Sequence, residues 1–426
     1  MQSRVHKILI VAGFAATLTS PPIAPVWAAT ESPANSSVSK IAKLNSELAL
    51  GQAPTKAMLD GLAQILQADP HNYQAHFLMG TCYQRLGEPE QAADEFKAAV
   101  KYGPNDPRPI IELIRQVAAL GQADIAIKFA RIAQERFNDN AEVNFWLAHL
   151  LSLKTNKFDE AEKCFQNVRK SGQKIYGYEL AYAELKLLRK EYKTAIAYAK
   201  LHRPSNDKDV AAELVKGRAY LGLHDYEHAF APLLKAYSNG FALAPDVARS
   251  LAETAYWTGH YKDAVEPALV EMMLSSTTAR DDSAMKSIFE KSARHVTREE
   301  VANIVRITST VLDGYSRFYT DGSFHRTVGM ALVALGMHDV AMEEFRKSIA
   351  RNPNDAVAYF LEGKELELHS GNYQEALDCY LKAKAANAPV PDIDEYINHL
   401  QNRLEIRKQD MAWQLKDWLQ DKKVQK

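Results

Sequence analysis

Cysteine is scarce in this chain: Cys82, Cys164 and Cys379 are all there is in 426 residues. An odd, widely scattered set makes no disulfide framework, and without a CxxC pair it makes no redox or zinc motif. All three read as small buried hydrophobes, so no disulfide is expected. Net charge is also nearly absent, with 52 basic against 53 acidic residues. So even a balance gives no footprint for nucleic acid and no electrostatic reason to sit on an anionic membrane. Beyond the N-terminus no apolar run approaches the ~18 residues of a membrane span. The motifs HExxH, GxxxxGK[ST], GxSxG and GxGxxG are missing as well, which removes the signatures of zinc proteases, phosphate-binding loops, serine hydrolases and dinucleotide folds. No cofactor and no metal is expected. His224 and His228, four apart in LHDYEHAF, fall short of the three or four ligands a zinc site needs, and His224 sits at a turn.

The first 28 residues have the form of an export signal. Arg4 and Lys7 are followed by the apolar stretch ILIVAGFAATL, Ile8 to Leu18, and by Pro21 and Pro22. Val26-Trp27-Ala28 offers small residues where a signal peptidase reads, so cleavage is expected after Ala28. The mature chain then keeps 50 basic and 53 acidic residues. Export to the periplasm or beyond is the expected localisation, with no integral membrane span after cleavage. Residues 29–38, polar and poor in apolar side chains, read as a flexible leader.

What the chain does have is a period. Alanines stand at Ala92, Ala126, Ala161, Ala195, Ala229 and Ala264, 34 or 35 residues apart, and again at Ala341 and Ala376. Four residues after each lies an interface position: Phe96, Ala130, Phe165, Ala199, Leu233, Ala268, Phe345 and Tyr380. Twelve or thirteen before lies a small residue: Gly80, Ala148, Ala183, Gly217, Ala252, Gly329 and Gly363. Five before, Gly87, Gly121, Gly259 and Gly336 mark turns, while Pro104 and Pro353 close their units. A fixed period of this length is the mark of a solenoid.

Glycine inside a helix costs about 0.5–1 kcal/mol against alanine, so Gly80 must be offset by packing. Two helices crossing closely at Gly80 and Ala92, with Tyr83, Phe96 and Ala99 filling the remaining space, supply that. Each pair leaves an apolar flank that only the next pair can cover.

These positions resemble the tetratricopeptide repeat, a helix, a tight turn and a second helix, most closely at 73–106 and 322–355. The resemblance implies an all-α solenoid of stacked helix-turn-helix units over about 73–388. We expect a degenerate unit at 39–72 within an N-terminal array of 39–273, a divergent helical segment at 274–321, a C-terminal pair of repeats at 322–388, and a capping helix with a basic tail at 389–426. Asp392 with Glu395 suggests an acidic capping box at the start of that helix, and Thr297 with Glu300 another at an internal helix. The segment 315–323, YSRFYTDGS, interrupts the array with three aromatics and reads as a loop packed on the solenoid, with a binding element as the alternative.

The resemblance also implies a concave face lined by the first helix of each unit, where protein or peptide ligands bind. Carried onto this chain it gives Phe77, Thr81, Arg85, Ile111, Arg115, Phe145, Trp146, His149, Arg218, Arg249, Tyr256, Trp257, Arg326 and Lys364, with Gln84, Glu112, Leu180 and Glu184 beside them. Phe77 and Thr81 stand where chaperone-tail binders of this family carry Lys and Asn, which argues against that activity. The expected function is a non-catalytic interaction scaffold. The alternatives are an enzyme whose site lies on 274–321 around Asp281, Asp282, His295 and Tyr315, and a carbohydrate or cell-wall binder that uses the groove aromatics.

Overall fold

In the computed structural model, the described residues are 36–424 except 51, 156, 205, 207–208, 242–245, 277–282 and 315–321. The expected signal peptide, residues 29–35 of the leader, Asp281, Asp282 and Tyr315 lie outside them. All regular structure among the described residues is helical. The chain divides into two compact units, with the division between Asn239 and Gly240.

The N-terminal unit runs through α1 (Ser36–Ala49), α2 (Lys56–Ala68), α3 (Tyr73–Leu86), α4 (Pro89–Tyr102), α5 (Pro107–Ala119), α6 (Ala123–Arg136), α7 (Ala141–Lys154), α8 (Phe158–Ser171), α9 (Tyr178–Leu188), α10 (Tyr192–Leu201), α11 (Ala211–Gly222) and α12 (Tyr226–Ala236). The C-terminal unit contains α13 (Val247–Trp257), α14 (Tyr261–Ser276), α15 (Ser283–Ala293), α16 (Arg298–Gly314), α17 (Ser323–Ala334), α18 (His338–Arg351), α19 (Ala356–Glu365), α20 (Tyr373–Ala385) and α21 (Ile393–Val424). Π-helical turns cover Tyr237–Phe241 and Leu366–Ser370. Within each unit most consecutive helices pack on each other, and first helices pack on first helices at α1 with α3, α5 with α7, α7 with α9, α9 with α11, α13 with α15 and α15 with α17.

Local chemistry sets the boundaries. Asn72, Asp106, Asn140, Asp355 and Asn372 each turn a side-chain oxygen onto a backbone N–H of the helix that follows, which satisfies donors a helix start leaves free. Pro89 and Pro107 occupy the first helical position, where a missing N–H costs nothing. Among the described residues, the one five before a ladder alanine takes the left-handed conformation that reverses the chain: Gly87, Gly121, Gly259, Gly336 and Gly371, but also Lys190 and His224. At the last two, a side chain tolerates a φ that glycine adopts without strain, so the turn is set by the hairpin rather than by glycine alone.

The ladder alanines are all fully buried, and so are Phe96, Phe165, Leu233, Phe345 and Tyr380. A methyl group placed on Gly80 would lie 2.7 Å from the Phe96 ring, and one on Gly329 would lie 2.5 Å from Phe345. Gly217 meets Leu233 and Gly363 meets Tyr380 at similar distances. The small position on the first helix and the interface position on the second are therefore partners in one crossing. Ala99 is buried and Tyr83 packs at the edge of the core. Pro104 and Pro353 are exposed, just past the ends of α4 and α18.

Two expectations change. Helix α1 starts at Ser36, so the end of the expected leader is helical. Together α1 and α2 bury Ile41, Leu48, Met58, Leu62 and Ile65 in one cluster with Ala75, Leu78, Met79 and Cys82 of α3, so 39–72 packs on the first clear unit. At the last helix, Asp392 has φ 61° and its carbonyl, not its carboxylate, accepts the Glu395 N–H at 2.8 Å. A left-handed entry turns the carboxylate away, so the capping box does not form there. The Thr297–Glu300 box does form: Thr297 Oγ1 accepts the Glu300 N–H at 3.3 Å and donates to the Glu300 carboxylate at 2.8 Å. Helix α21 buries Ile397 and Leu400 against α20, then leaves Ile406, Met411 and Trp413 exposed.

The segment around 283–314 is helical on both sides of a short connection. Met285, Phe289 and Ala293 of α15 and Val301, Ala302 and Val305 of α16 share one cluster with α14, α17 and α18. Helix α15 packs on α13 and α17, as first helices do on first helices, and α16 packs on α14.

Candidate partner-binding face

The first helices of the N-terminal unit carry a row of polar groups over the apolar crossings. On α3, the Gln84 side-chain amide donates to Glu112 on α5 at 3.1 Å. Arg115 pairs with that same Glu112 at 3.2 Å and lays its guanidinium 5.5 Å from the Trp146 ring centre on α7. Beneath it, Phe145 and His149 stack at 6.0 Å with parallel planes, and Trp146 meets His149 edge-on. Burial pushes the His149 imidazole down to about 4, so it is neutral near pH 7. Burial also raises the Glu142 carboxyl, with Glu112 adding to the effect and Arg115 opposing it.

One hairpin further, on α9, burial drives the Glu184 carboxyl up to about 8 in spite of the charge of Arg218 on α11. Its Oε2 is buried and has no hydrogen-bond partner. A carboxyl in this state is a protonated acid at neutral pH, with half-buried Arg218 as its charged neighbour. Phe77 is half-buried, tilted on Phe96 at 5.8 Å and covered by Arg108. The Thr81 hydroxyl donates to the Phe77 carbonyl, and the exposed Arg85 donates to the Gln52 carbonyl at 3.0 Å.

Four sequence-derived contact residues need correction. Ile111, Phe145, Trp146 and His149 are buried, at 3%, 2%, 6% and 4% exposure. They pack between neighbouring first helices and leave no area for a ligand. For the three on α7, periodicity could not separate them from the surface row, because that helix is apolar on nearly every side.

In the C-terminal unit the remaining candidates have different settings. Arg249 pairs with buried Glu271 at 3.2 Å, and Arg326 with buried Asp355 at 2.6 Å. Both act as counter-charges of the core. Lys364 is exposed. Trp257 is 65% exposed at the end of α13 and meets half-buried Tyr256 edge-on at 5.3 Å. His295, one of the residues considered for an enzyme site, stacks on Tyr261 at 4.0 Å. The packed α15 and α16 around it do not favour that alternative. Cys82, Cys164 and Cys379 are buried free thiols. Burial raises the Cys82 thiol to about 11 and Cys379 to about 12, both unreactive as nucleophiles at neutral pH.

Helix hairpins in register, crossing at glycine or alanine and reversing at a left-handed residue, define an α-helical repeat protein. Family models described as tetratricopeptide repeat match residues 59–110 and 328–391, so the chain carries tetratricopeptide repeats in both units. No curated protein sequence matches it. Among solved structures, a tetratricopeptide repeat protein from Parabacteroides merdae is 14% identical with a TM-score of 0.42, over 60% of this chain and 98% of that one. PilF of Pseudomonas aeruginosa is 19% identical with a TM-score of 0.41, over 51% and 95%. PilW, described as a type IV pilus biogenesis factor, is 17% identical with a TM-score of 0.42, over 51% and 97%.

Proposed function

We propose that this protein is a non-catalytic interaction scaffold, exported to the cell envelope, that holds a protein or peptide partner on the first-helix face of its N-terminal unit. The observation that carries the reading is Glu184: a buried carboxyl with an unpartnered oxygen, on a face otherwise made of half-buried charged groups. A buried acid lacking a partner costs stability, about 1–3 kcal/mol for an unmade hydrogen bond. A ligand that supplies a donor recovers that cost on binding. Arg218 neighbours it, and Arg115 stands two hairpins away on first helix α5; arginine is a residue type that dominates binding hot spots. Repeat arrays bind through extended faces of this kind.

Export rests on the basic, apolar and small-residue segments of the first 28 residues. The test takes the mature chain as bait in envelope extract, beside Arg115→Glu, Arg218→Glu and, as a control on another face, Lys101→Glu. The expected outcome is one set of partners retained by wild type and Lys101→Glu and lost with the two Arg variants. Equal recovery by all four removes this face from the function. Mass measurement of the native protein checks export independently: a chain that begins at Ala29 is expected, and a full-length chain in the cytosol would remove the envelope from the proposal.

A further inference from the structure

Among the described residues of the C-terminal unit, the buried carboxylates are Glu271, Glu344, Asp355, Glu362 and Glu365. A carboxylate taken out of water needs a cation or a full set of donors. Arg249 serves Glu271, Lys347 with His325 serves Glu344, Arg326 serves Asp355, and Arg346 serves Glu362. Glu365 differs: its ion-pair partners are two imidazoles, His338 Nδ1 at 2.7 Å and His369 Nε2 at 3.8 Å. The two rings stack on each other, centres 3.4 Å apart and planes 16° from parallel.

We propose that His338, Glu365 and His369 bind a divalent transition-metal cation of the zinc type. Two imidazole nitrogens and one carboxylate oxygen form a three-ligand set that suits zinc, with a fourth position left to water. The three ligating atoms lie within 4.8 Å of one another. Around a tetrahedral ion with bonds of ~2.0–2.1 Å, donors stand about 3.3 Å apart. The observed 2.7 and 3.8 Å bracket that value, so small side-chain shifts admit the ion.

The ligands come from successive hairpins. His338 opens α18, Glu365 ends α19, and His369 lies on the π-helical turn that follows; such turns are frequent at functional sites. His369 and His338 are 42% and 28% exposed at their side chains, which leaves a path from solvent, while Glu365 is closed off at 6%. A bound ion ties the two hairpins together and stabilises the folded form by mass action. This inference does not depend on the partner-binding reading.

The test uses the untagged full chain, freed of metal by chelator dialysis and titrated with zinc chloride in a calorimeter, with thermal melts alongside. Expected are one saturable zinc per chain and a melting temperature raised by a few degrees. His369→Ala, at a partly exposed position, keeps the helical spectrum but loses both the saturable step and the shift. Glu365→Gln, which preserves shape, does the same, and His228→Ala in the other unit behaves as wild type. Cobalt gives a second readout: a visible ligand-field spectrum in wild type that either site variant abolishes. Absence of saturable zinc binding by wild type, or equal binding by wild type and both site variants, overturns the proposal.

Discussion

Two hairpins of this chain, α3–α4 and α17–α18, share a register residue for residue yet differ in what surrounds them. Each crosses at a glycine against a phenylalanine, Gly80 with Phe96 and Gly329 with Phe345. Each sets a histidine sixteen residues before the ladder alanine opposite a glutamate three residues after it: His76 with Glu95 and His325 with Glu344, both at 2.7 Å. In the N-terminal unit that pair is partly wet, 15% and 24% exposed, and His76 also reaches the Pro70 carbonyl. In the C-terminal unit it is sealed, at 4% and 0%. There Ser309 of α16 and Lys347 add donors to Glu344, at 3.1 and 2.7 Å. The repeat register places the pair, and the neighbouring hairpin decides whether it becomes a surface contact or a core network. In this case the cover comes from the divergent helix α16.

The largest expected effect tests that difference directly. Glu344→Ala leaves Lys347 and His325 without their counter-charge and should cost about 3–5 kcal/mol in urea unfolding, whereas Glu95→Ala should stay within about 1 kcal/mol. Equal costs would break the comparison. Next come the crossings, where the hairpins should agree: Gly80→Leu and Gly329→Leu each overpack a phenylalanine and should each cost about 1–3 kcal/mol. A melting temperature unchanged in either would mean that the crossing is not tight there.

Acidity separates the units further. Burial pushes the Glu344 carboxyl up, but the hydrogen bonds and charges of His325 and Lys347 outweigh it and hold the group below its ordinary value. Its folded value is depressed, so its contribution is complete above the unfolded value of about 4.3 and is lost as pH falls through the folded one. Glu184 runs the other way. With a folded value of about 8 against an ordinary 4.5, the folded state holds a proton that the unfolded state releases, so stability falls as pH rises across that window. Glu184→Gln should therefore gain on wild type steadily from pH 5 to pH 8 in thermal melts. A constant difference would show that Glu184 is ionised in the folded protein. His149 opposes it: lowered to about 4, it withdraws stability as pH drops below the ordinary 6.5. The smallest effect belongs to Trp257→Ala. At 65% exposure it should change stability by no more than about 0.5 kcal/mol, and a larger loss would place the ring in a packed setting.

Much of the hairpin design is legible in the residues. The ladder alanines, the small residues a dozen positions earlier and the interface residues four positions later name both sides of most crossings, because a repeat restates one local contact many times. The functional face is less legible. Trp146 and Trp257 carry similar sequence signals, yet one is buried between first helices and the other is exposed. Glu142 drew no notice, since an acid in the first turn of a helix is ordinary. Nor does any motif announce His338, Glu365 and His369, whose spacing spans two hairpins and a π-helical turn.

By itself, then, the amino-acid order determined which helices pair, where each pair reverses and which side chains meet at the crossing, because those contacts lie within some thirty residues and tolerate little volume change. Which charged groups are sealed, which aromatic rings reach water and which ligating atoms converge was settled only by the packing of one hairpin on another. Those outcomes depend on the neighbour's surface, which no single repeat encodes.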